Sequence, residues 1–476
     1  MAELHDMSAL EQAAAVRARQ VSPVELVEHY LARIERRNEE LGAFVTVTAD
    51  DALTRAKEAE EQASRSDPAT LPPLHGVPTA IKDLNLTAGV RTTLGSTLFA
   101  DFVPPVDDHV VTLLRRAGTI SLGKTNTPEF GLPCYTENGV APPARTPWDP
   151  SRSAGGSSGG AAAAVASGMV PFAQGSDGGG SVRIPSSVCG LFGIKVSRGR
   201  VSNGPVGGDV TGLAWNGPLA RNVRDAAALL DAMAVPMPGD PHWAPPLANG
   251  ATFLSFAGRD PGKLRIGRYA APVIADSEIH PDCLAAYEAA TAALTDLGHE
   301  VEEIDAPFPP ESLAPFAAVW GVSAASAPVD PAREDELLPL TRWLRGLGAK
   351  TTGAEFVGAM AQLQMLTRQW IMRTAQYDAV LSPTLASPPV PVGWFSETGD
   401  PAEDFARQTQ FTPFAATYNV TGQPAVSLPM YWTEGEPTLP IGVMLAGRPA
   451  DEATLVSLSA QLEDAVPWVD RRPPGW

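Results

Sequence analysis

The alternation of apolar and polar residues predicts helices at the start of the chain. Residues 7–40 repeat at helical spacing with one break. Ser22, Pro23 and Glu25 supply an N-cap, a first-turn proline and a capping-box acid for the second helix. A charged stretch that follows predicts a surface helix. We therefore expect residues 1–70 to form an N-terminal helical segment without catalytic residues.

Short apolar runs then predict buried strands. Val77 to Ile81 form such a run, and Lys82 ends it. Lysine is rarely buried without a partner or a role, so Lys82 is a candidate functional residue, with an exposed strand-end lysine as the alternative. Residues 107–117 predict a helix, and residues 119–126 predict a further strand.

The C-terminal half contains a predicted β-α-β unit. Residues 263–269 form a buried strand, and residues 280–305 form a helix ended by a glycine and followed by a strand. This order favours a doubly wound α/β sheet. Residues 306–370 hold several aromatics among helical pieces and predict a helical insert that covers one side of the core. Residues 371–476 add C-terminal strands and a closing helix.

Residues 153–200 hold the densest cluster of small residues. Glycine-serine clusters cover residues 155–160 and 175–181, and an alanine-rich helix former lies between them. Closely spaced glycines let the backbone approach another group, and the N–H groups of such a turn bind anions. A serine at the end of this turn indicates acyl transfer with an oxyanion hole. A flexible linker is the alternative, but the interleaved Ala, Val and Ile runs favour burial.

The composition narrows the function classes. A net charge of −19 disfavours non-specific binding to nucleic acid or anionic membranes. Cys134, Cys189 and Cys283 are too widely spaced for a metal-ligand pattern or a disulfide framework, which indicates a reducing compartment. The N-terminus lacks a secretory signal pattern, and no apolar run reaches the roughly 18 residues of a membrane span. We therefore expect a cytoplasmic protein without a metal, nucleic-acid or membrane partner.

Two short motifs point to other functions, and both have the wrong context. Gly118 to Thr125 spells GTISLGKT, which matches the phosphate-binding loop. Its interior is strand-like, and Pro128 lies where the following helix should already have begun, so we do not expect nucleotide binding. GGSSG at residues 155–159 matches the nucleophile elbow of α/β-hydrolases, but any glycine-serine cluster would match it.

A nucleophilic serine needs a base. Histidine held by aspartate is the usual base, but none of the seven histidines lies in a segment of catalytic character. His75 is the histidine that lies near Lys82 in the sequence. A Ser-His-Asp arrangement formed by long-range folding stays open. The alternative base is a lysine that burial keeps neutral near pH 7.

Five segments in order carry a family resemblance: GVPTAIKDLNLTAG, GKTNTPEF, GGSSGGAAAAVASG, GSDGGGSVRIPSSVCGLFGIKVSRGRVS and TGQPAVSLP. With them the chain resembles the amidase signature family over about residues 10–465. The resemblance implies a single large α/β domain over residues 1–476. Its central sheet is expected to be mixed, mostly parallel and twisted, with helices on both faces. The signature core is expected at residues 71–235, and the insert at 306–370 is expected near the substrate pocket.

The resemblance implies a Ser-cisSer-Lys triad. Its lysine is Lys82, its middle serine is Ser157 after a cis Gly156–Ser157 peptide bond, and its nucleophile is Ser181. In the mechanism that the resemblance implies, neutral Lys82 takes a proton from Ser157, which takes one from the attacking Ser181. An acyl-enzyme forms, and water then hydrolyses it. No metal or organic cofactor enters this mechanism.

The resemblance also assigns the groups around the nucleophile. The oxyanion donors implied are the main-chain N–H groups of Gly178, Gly179, Gly180 and Ser181. Three further residues are expected either to support the turn by hydrogen bonds or to be structural only: Ser158, Asp177 and Arg183.

Departures from the family pattern carry the substrate information. Ile184 stands where the family's tRNA-linked amidotransferase subunit typically has glutamine, and residues 212–218 replace that subunit's S-L-D-x-x-G-P segment. Both changes remove groups that would bind a polar glutamine, so an apolar pocket is expected. The candidate wall residues are Cys134, Tyr135, Ile184, Trp215, Phe316 and Trp320.

These observations predict a cofactor-independent hydrolase of amide C–N bonds, acting as a monomer or homodimer. Small or medium apolar amides and anilides are the expected substrates, with esters and carbamates as further candidates. The first alternative is an amidotransferase A-type subunit that releases ammonia from glutamine in a tRNA-linked complex. The second is a non-catalytic binding protein that keeps the fold, which the intact triad positions disfavour.

Overall fold

A computed structural model describes residues 3–476. The α-helices of this part of the chain are α1 Ala9–Arg17, α2 Pro23–Leu41, α3 Ala49–Arg65, α4 His109–Arg116, α5 Gly159–Ala166, α6 Arg183–Cys189, α7 Val223–Met233, α8 Phe253–Phe256, α9 Pro281–Asp296, α10 Leu313–Ala325, α11 Pro339–Lys350, α12 Gly353–Thr374, α13 Pro401–Phe411, α14 Thr417–Thr421 and α15 Glu452–Ala465. The strands are β1 Phe44–Val47, β2 Pro78–Lys82, β3 Ile120–Thr125, β4 Phe172–Asp177, β5 Phe192–Lys195, β6 Trp215–Ala220, β7 Arg265–Arg268, β8 Glu300–Glu303, β9 Ala379–Pro383, β10 Ala425–Trp432 and β11 Pro440–Gly447.

These strands form two sheets within one α/β domain. The small sheet has the order β1-β3-β2, and the large sheet has the order β4-β6-β5-β10-β11-β9-β7-β8. The predicted mixed sheet is confirmed, and so is the β-α-β unit, because β7 and β8 run parallel on either side of α9 in the chain. Strands β7 and β9 are also parallel.

The expectation of a mostly parallel sheet is wrong. Every other neighbouring pair in the large sheet is antiparallel. A parallel connection needs a crossover of a dozen or more residues, usually a helix. Strands β10 and β11 are joined by the short loop 433–439, which allows only the antiparallel hairpin. The single β-α-β unit therefore does not represent the whole sheet.

Helices pack on both faces of the large sheet, as predicted. Helices α7, α9 and α15 pack on one face, and α5 and α6 pack on the other. Residues of β11 alternate between two cores: Val443 and Leu445 belong to one, and Met444 and Ala446 to another, as the two-residue period of a strand requires. Every residue of the alanine-rich α5 is buried, because its small side chains let neighbouring elements surround it.

Helices α1, α2 and α3 occupy most of the N-terminal segment that was predicted to be helical, and strand β1 interrupts it. Ser22 caps α2, with its hydroxyl accepting from the Val24 N–H and its own N–H donating to Glu25. The predicted insert corresponds to α10, α11 and α12.

Among residues 3–476, no helix is both long enough and apolar enough to span a bilayer.

The segment that matches a phosphate loop is a buried strand, β3. The Lys124 ammonium group lies inside the protein, donating to Asn85 O at 2.5 Å and to Thr92 Oγ1 at 3.0 Å. It also lies 3.5 Å from Asp83. These neighbours occupy Lys124, and the strand conformation removes the backbone cradle that a phosphate would need.

Candidate active site

Strand β2 carries Lys82 into the interior, where its side chain is fully buried. Its Nζ lies 2.7 Å from Ser157 Oγ, and it lies 3.0 Å from the hydroxyl and 3.3 Å from the carbonyl of Ser176. Burial lowers the pKa of Lys82 to about 7, although the nearby Asp177 opposes the shift. A substantial fraction of Lys82 is therefore an uncharged amine at neutral pH.

A buried glutamine fixes the backbone of Lys82. The Lys82 N–H donates to Gln174 Oε1 at 2.9 Å. The amide nitrogen of Gln174 donates to Asn85 Oδ1 at 2.9 Å and to Asn216 Oδ1 at 2.7 Å. Three segments thus hold the end of β2. Sequence reasoning missed Gln174 and Ser176, because both resemble ordinary residues of a strand.

Ser157 follows a tight turn of the first glycine-serine cluster. The Gly156–Ser157 peptide bond is cis, as the family resemblance implies. A Cβ at Gly156 would lie 2.6 Å from the Tyr135 backbone nitrogen. Only glycine can therefore occupy this position without moving the neighbouring chain.

Ser158 links the two glycine-serine clusters. Its N–H donates to Ser181 O at 3.2 Å. Its hydroxyl donates to Ser176 O at 3.1 Å and accepts from the Ser176 N–H at 3.2 Å. Ser158 therefore connects the backbone of Ser181 to Ser176, whose oxygens contact Lys82.

Asp177 organises the turn that ends in Ser181. Its carboxylate accepts from the N–H groups of Gly180 at 2.8 Å and Val182 at 3.1 Å. It also accepts two bonds from the Arg183 guanidinium, at 2.9 and 3.0 Å. Burial opposes ionisation of Asp177, but Arg183 and the hydrogen bonds outweigh it and hold the pKa of this carboxyl below its usual range.

Asn419 of α14 completes this buried network. Its amide nitrogen donates to the Asp177 carboxylate at 2.9 Å and to the Leu213 carbonyl at 3.0 Å. Its oxygen accepts from Arg183 at 2.7 Å, and Arg183 also donates to Ala415 O at 2.7 Å. Asn419 lies in the stretch just before TGQPAVSLP, but no sequence pattern assigns it a role.

One of the four expected oxyanion donors is already engaged. The Gly180 N–H donates to the Asp177 carboxylate, which is buried and needs hydrogen-bond donors. The prediction that Gly180 donates to the oxyanion is therefore corrected. The N–H groups of Gly178, Gly179 and Ser181 have no hydrogen-bond partner among residues 3–476. These three donors are the ones that the turn leaves open.

A small cavity of about 50 Å³ opens beside Ser181. Of the six predicted wall residues, four line it: Cys134, Ile184, Phe316 and Trp320. The rings of Phe316 and Trp320 stack at 5.7 Å between centroids, and they approach the turn at Gly178 and Gly179. The other lining residues are Leu132, Pro133, Gly179, Ile274, Phe405, Gln408, Thr409, Thr412 and Ala416.

The remaining two predicted wall residues lie elsewhere. Trp215 lines a separate cavity of about 260 Å³, because its indole turns away to donate to Gly212 O at 3.0 Å and packs edge-on against His242. The prediction that it borders the Ser181 cavity is wrong. Tyr135 lines a neighbouring cavity of about 340 Å³, where its hydroxyl donates to Asp404 at 2.6 Å.

Helix α13 and the residues after it supply a wall that sequence reasoning missed. Phe405, Gln408, Thr409, Thr412 and Ala416 all face the Ser181 cavity. They lie more than two hundred residues after Ser181 in the chain. Only the spacing of Phe405, Gln408, Thr409 and Thr412 on one helical face was a usable signal.

A buried amine against a serine, beside a turn with open N–H donors, is the arrangement of an acyl-transfer hydrolase. Comparison with known proteins narrows this class. The amidase family model matches residues 25–456. The chain is 38% identical over 464 residues to a putative amidase of Synechocystis, covering 96% of this chain and 88% of that protein. It is also 34% identical over 481 residues to an acylamidase of Rhodococcus erythropolis, covering 99% of this chain and 98% of that protein.

A solved structure and a further sequence relative support the same family. The fold matches 6-aminohexanoate cyclic dimer hydrolase complexed with substrate with a TM-score of 0.90 and 31% identity, covering 99% of both chains. The A-type subunit of a glutamyl-tRNA(Gln) amidotransferase from Chloroflexus aurantiacus is 33% identical over 498 residues, covering 99% of this chain and 99% of that protein. The chain belongs to the amidase signature family. It is an amidase, a hydrolase of amide C–N bonds.

Proposed function

We propose that the reaction runs through Lys82, Ser157 and Ser181 and a covalent acyl-enzyme. The observation that carries the proposal is the 2.7 Å contact between Lys82 Nζ and Ser157 Oγ, made by a buried amine with a pKa of about 7. An uncharged amine has two N–H groups and one lone pair. The two N–H groups satisfy the oxygens of Ser176, so the lone pair is left to accept the Ser157 proton.

In the proposed mechanism, Ser157 passes its proton to Lys82 and takes the proton of Ser181. Ser181 Oγ attacks the substrate carbonyl, and the developing oxyanion accepts hydrogen bonds from the N–H groups of Gly178, Gly179 and Ser181. The relay then returns a proton to the nitrogen of the leaving amine, and the C–N bond breaks. Water attacks the acyl-enzyme by the reverse sequence of proton transfers.

We propose small apolar amides and anilides as substrates. Apart from Ser181, the cavity is lined mainly by aliphatic and aromatic side chains, and among residues 3–476 no charged side chain lines it. The similarity to an acylamidase and to 6-aminohexanoate cyclic dimer hydrolase supports uncharged amides. Esters and carbamates present the same planar carbonyl to Ser181, so we include them as additional substrates.

The alternative of a glutamine-hydrolysing amidotransferase is less well supported. Free glutamine carries an α-ammonium and an α-carboxylate, and burying either without a charged partner is costly. The apolar lining of the Ser181 cavity supplies no such partner within the described chain. This alternative rests on the 33% identity to the A-type amidotransferase protein of Chloroflexus.

A hydrolysis screen tests the proposed substrates. The purified chain alone is assayed against anilides, aliphatic amides, esters, carbamates and glutamine. We expect turnover of short-chain anilides and no release of ammonia from glutamine. Turnover of glutamine alone, or turnover that requires a second protein, would support the amidotransferase instead.

The cytoplasmic location and the monomeric or homodimeric state stay predictions.

A further inference from the structure

The Ser181 cavity contains a buried side-chain amide, that of Gln408, with an N–H group that is not already used. Four of its lining side chains besides Ser181 carry N–H or O–H groups: Trp320, Gln408, Thr409 and Thr412. Trp320 is only partly buried, whereas Gln408 is buried. Thr409 donates its hydroxyl proton to Ala406 O at 2.8 Å, and Thr412 donates to Gln408 O at 2.8 Å. Both threonine protons are thus consumed inside the helix. Gln408 has two amide protons and uses one.

The orientation of the Gln408 amide is fixed from both ends. Its oxygen accepts from the Cys134 N–H at 2.9 Å, which can only donate. Its nitrogen donates to Asp404 Oδ1 at 2.8 Å, which as a carboxylate can only accept. A flip of the amide would break both bonds. Asp404 is itself held by the Tyr135 hydroxyl at 2.6 Å, so the second N–H of Gln408 has a set direction.

This N–H has no partner among residues 3–476, and the Gln408 side chain is 6% exposed. A buried donor without an acceptor is unfavourable, and a hydrogen bond to an acceptor on the ligand would remove that cost. Because the cavity is small, a group that fills it from Ser181 also reaches Gln408. The acyl part of a substrate stays on Ser181 Oγ in the intermediate, so it is the part that has to occupy this space.

We propose that Gln408 is a specificity-determining residue, which donates a hydrogen bond to an uncharged oxygen in the acyl part of the substrate. The substrate class is therefore acyl amides that carry an ether, hydroxyl or second carbonyl oxygen a few bonds from the scissile carbonyl. The adjacent Asp404 carboxylate disfavours an anionic acceptor at this position. The proposal rests on the proposed function, because it assumes that the acyl group is carried by Ser181.

The test uses pairs of p-nitroanilides that differ by one atom. Butanoyl is compared with methoxyacetyl, and pentanoyl with 3-methoxypropanoyl, so that an ether oxygen replaces a methylene of nearly the same volume. For each pair, the ratio of kcat/KM values is divided by the ratio of alkaline hydrolysis rates, which removes intrinsic reactivity. We expect the unaltered enzyme to favour the ether in at least one pair by about fivefold or more.

Gln408→Leu and the unbranched Gln408→Met are expected to lose this preference, bringing the corrected ratio to within about twofold of one. Thr409→Val is the matched control, because it removes a hydroxyl of the same cavity whose proton is already used, and its ratio should equal that of the unaltered enzyme. Equal corrected ratios for both pairs in the unaltered enzyme would overturn the proposal. So would a preference that survives in Gln408→Met.

Failure of this proposal differs from failure of the proposed function. If Ser181 is not the nucleophile, no acyl adduct forms on it in the unaltered enzyme. If only the role of Gln408 is wrong, the adduct forms, both members of each pair are hydrolysed, and the ratio is insensitive to the substitution.

Discussion

Lys82 Nζ and Ser157 Oγ are 2.7 Å apart, and both residues are buried. The pair joins two parts of the chain that are 75 positions apart. Burial disfavours the charged ammonium form of Lys82 and lowers its pKa to about 7, which allows this amine to act as a base near neutral pH. In the proposed mechanism, Ser157 carries a proton between Lys82 and Ser181 of the second glycine-rich turn.

The first prediction concerns pH. Only uncharged Lys82 accepts a proton, and its pKa is lowered to about 7. We therefore expect kcat/KM to rise with pH, to reach half of its maximum near pH 7, and to level off above about pH 8. The measurement is a pH–rate profile from pH 5 to 9, with circular dichroism at each pH as a control for folding. A flat profile over this range would contradict the assignment of Lys82 as base.

The second prediction separates the two adjacent serines. Ser157→Ala removes the proposed proton carrier, so kcat/KM should fall by about a thousandfold, in the range of general acid–base catalysis. Ser158→Ala removes two hydrogen bonds to Ser176 but no proton carrier, and we expect a loss of about tenfold or less. Steady-state kinetics on one anilide compares the two. Equal losses would mean that both serines act only by holding the turn.

The third prediction concerns the buried pair of Asp177 and Arg183. Both side chains have no exposed area. Arg183→Leu leaves the Asp177 charge without its main partner, and we expect the free energy of unfolding to fall by about 3–5 kcal/mol. Urea denaturation measures the change. The control is Arg333→Leu, which breaks an exposed pair with Glu336 and should change stability too little to measure.

The fourth prediction concerns the size of the acyl group. Trp320 stacks on Phe316 and walls the Ser181 cavity, so Trp320→Ala should enlarge it. We expect the ratio of kcat/KM for octanoyl over butanoyl p-nitroanilide to rise about tenfold or more. Trp243→Ala is the control, since this indole is 77% exposed and does not line the cavity. An unchanged chain-length preference in Trp320→Ala would place acyl binding elsewhere.

The fifth prediction concerns acid stability. His5 lies 3.0 Å from His29 and 2.8 Å from Arg33. Burial and then Arg33 lower the pKa of His5 from 6.5 to about 4. The unfolded state therefore binds more protons than the folded state between these pH values, and stability falls as pH falls from about 6.5 to 4. His5→Gln should weaken this dependence, measured as Tm from pH 4.5 to 7.5. An equal slope in the variant would assign acid sensitivity to other groups.

The sequence predicted the parts of the site that local motifs carry. Lys82 ends an apolar run, and Ser157 and Ser181 lie in glycine-rich turns, so each has a local signature. Phe316 and Trp320 were found because large aromatics stand out in a helical insert. The cis bond before Ser157 came from the family resemblance, since nothing in residue spacing specifies a peptide isomer.

Residues that act through long-range contacts could not be found in this way. Gln408 meets the Cys134 backbone across 274 positions, and Asn419 meets Asp177 across 242. Neither differs locally from an ordinary helix residue. Trp215 was misplaced because a strand has two faces, and the apolar pattern of a strand buried on both does not say which face borders the site.

The proposed mechanism depends most on Ser181 as the nucleophile that Lys82 and Ser157 activate. The direct measurement is rapid acid quench during turnover of a p-nitrophenyl ester, followed by intact-mass analysis and peptide mapping. We predict a mass increase equal to the acyl group on the peptide that contains Ser181, no adduct in Ser181→Ala, and much slower adduct formation in Lys82→Ala. An adduct on another residue, or full turnover by Ser181→Ala, would contradict the account.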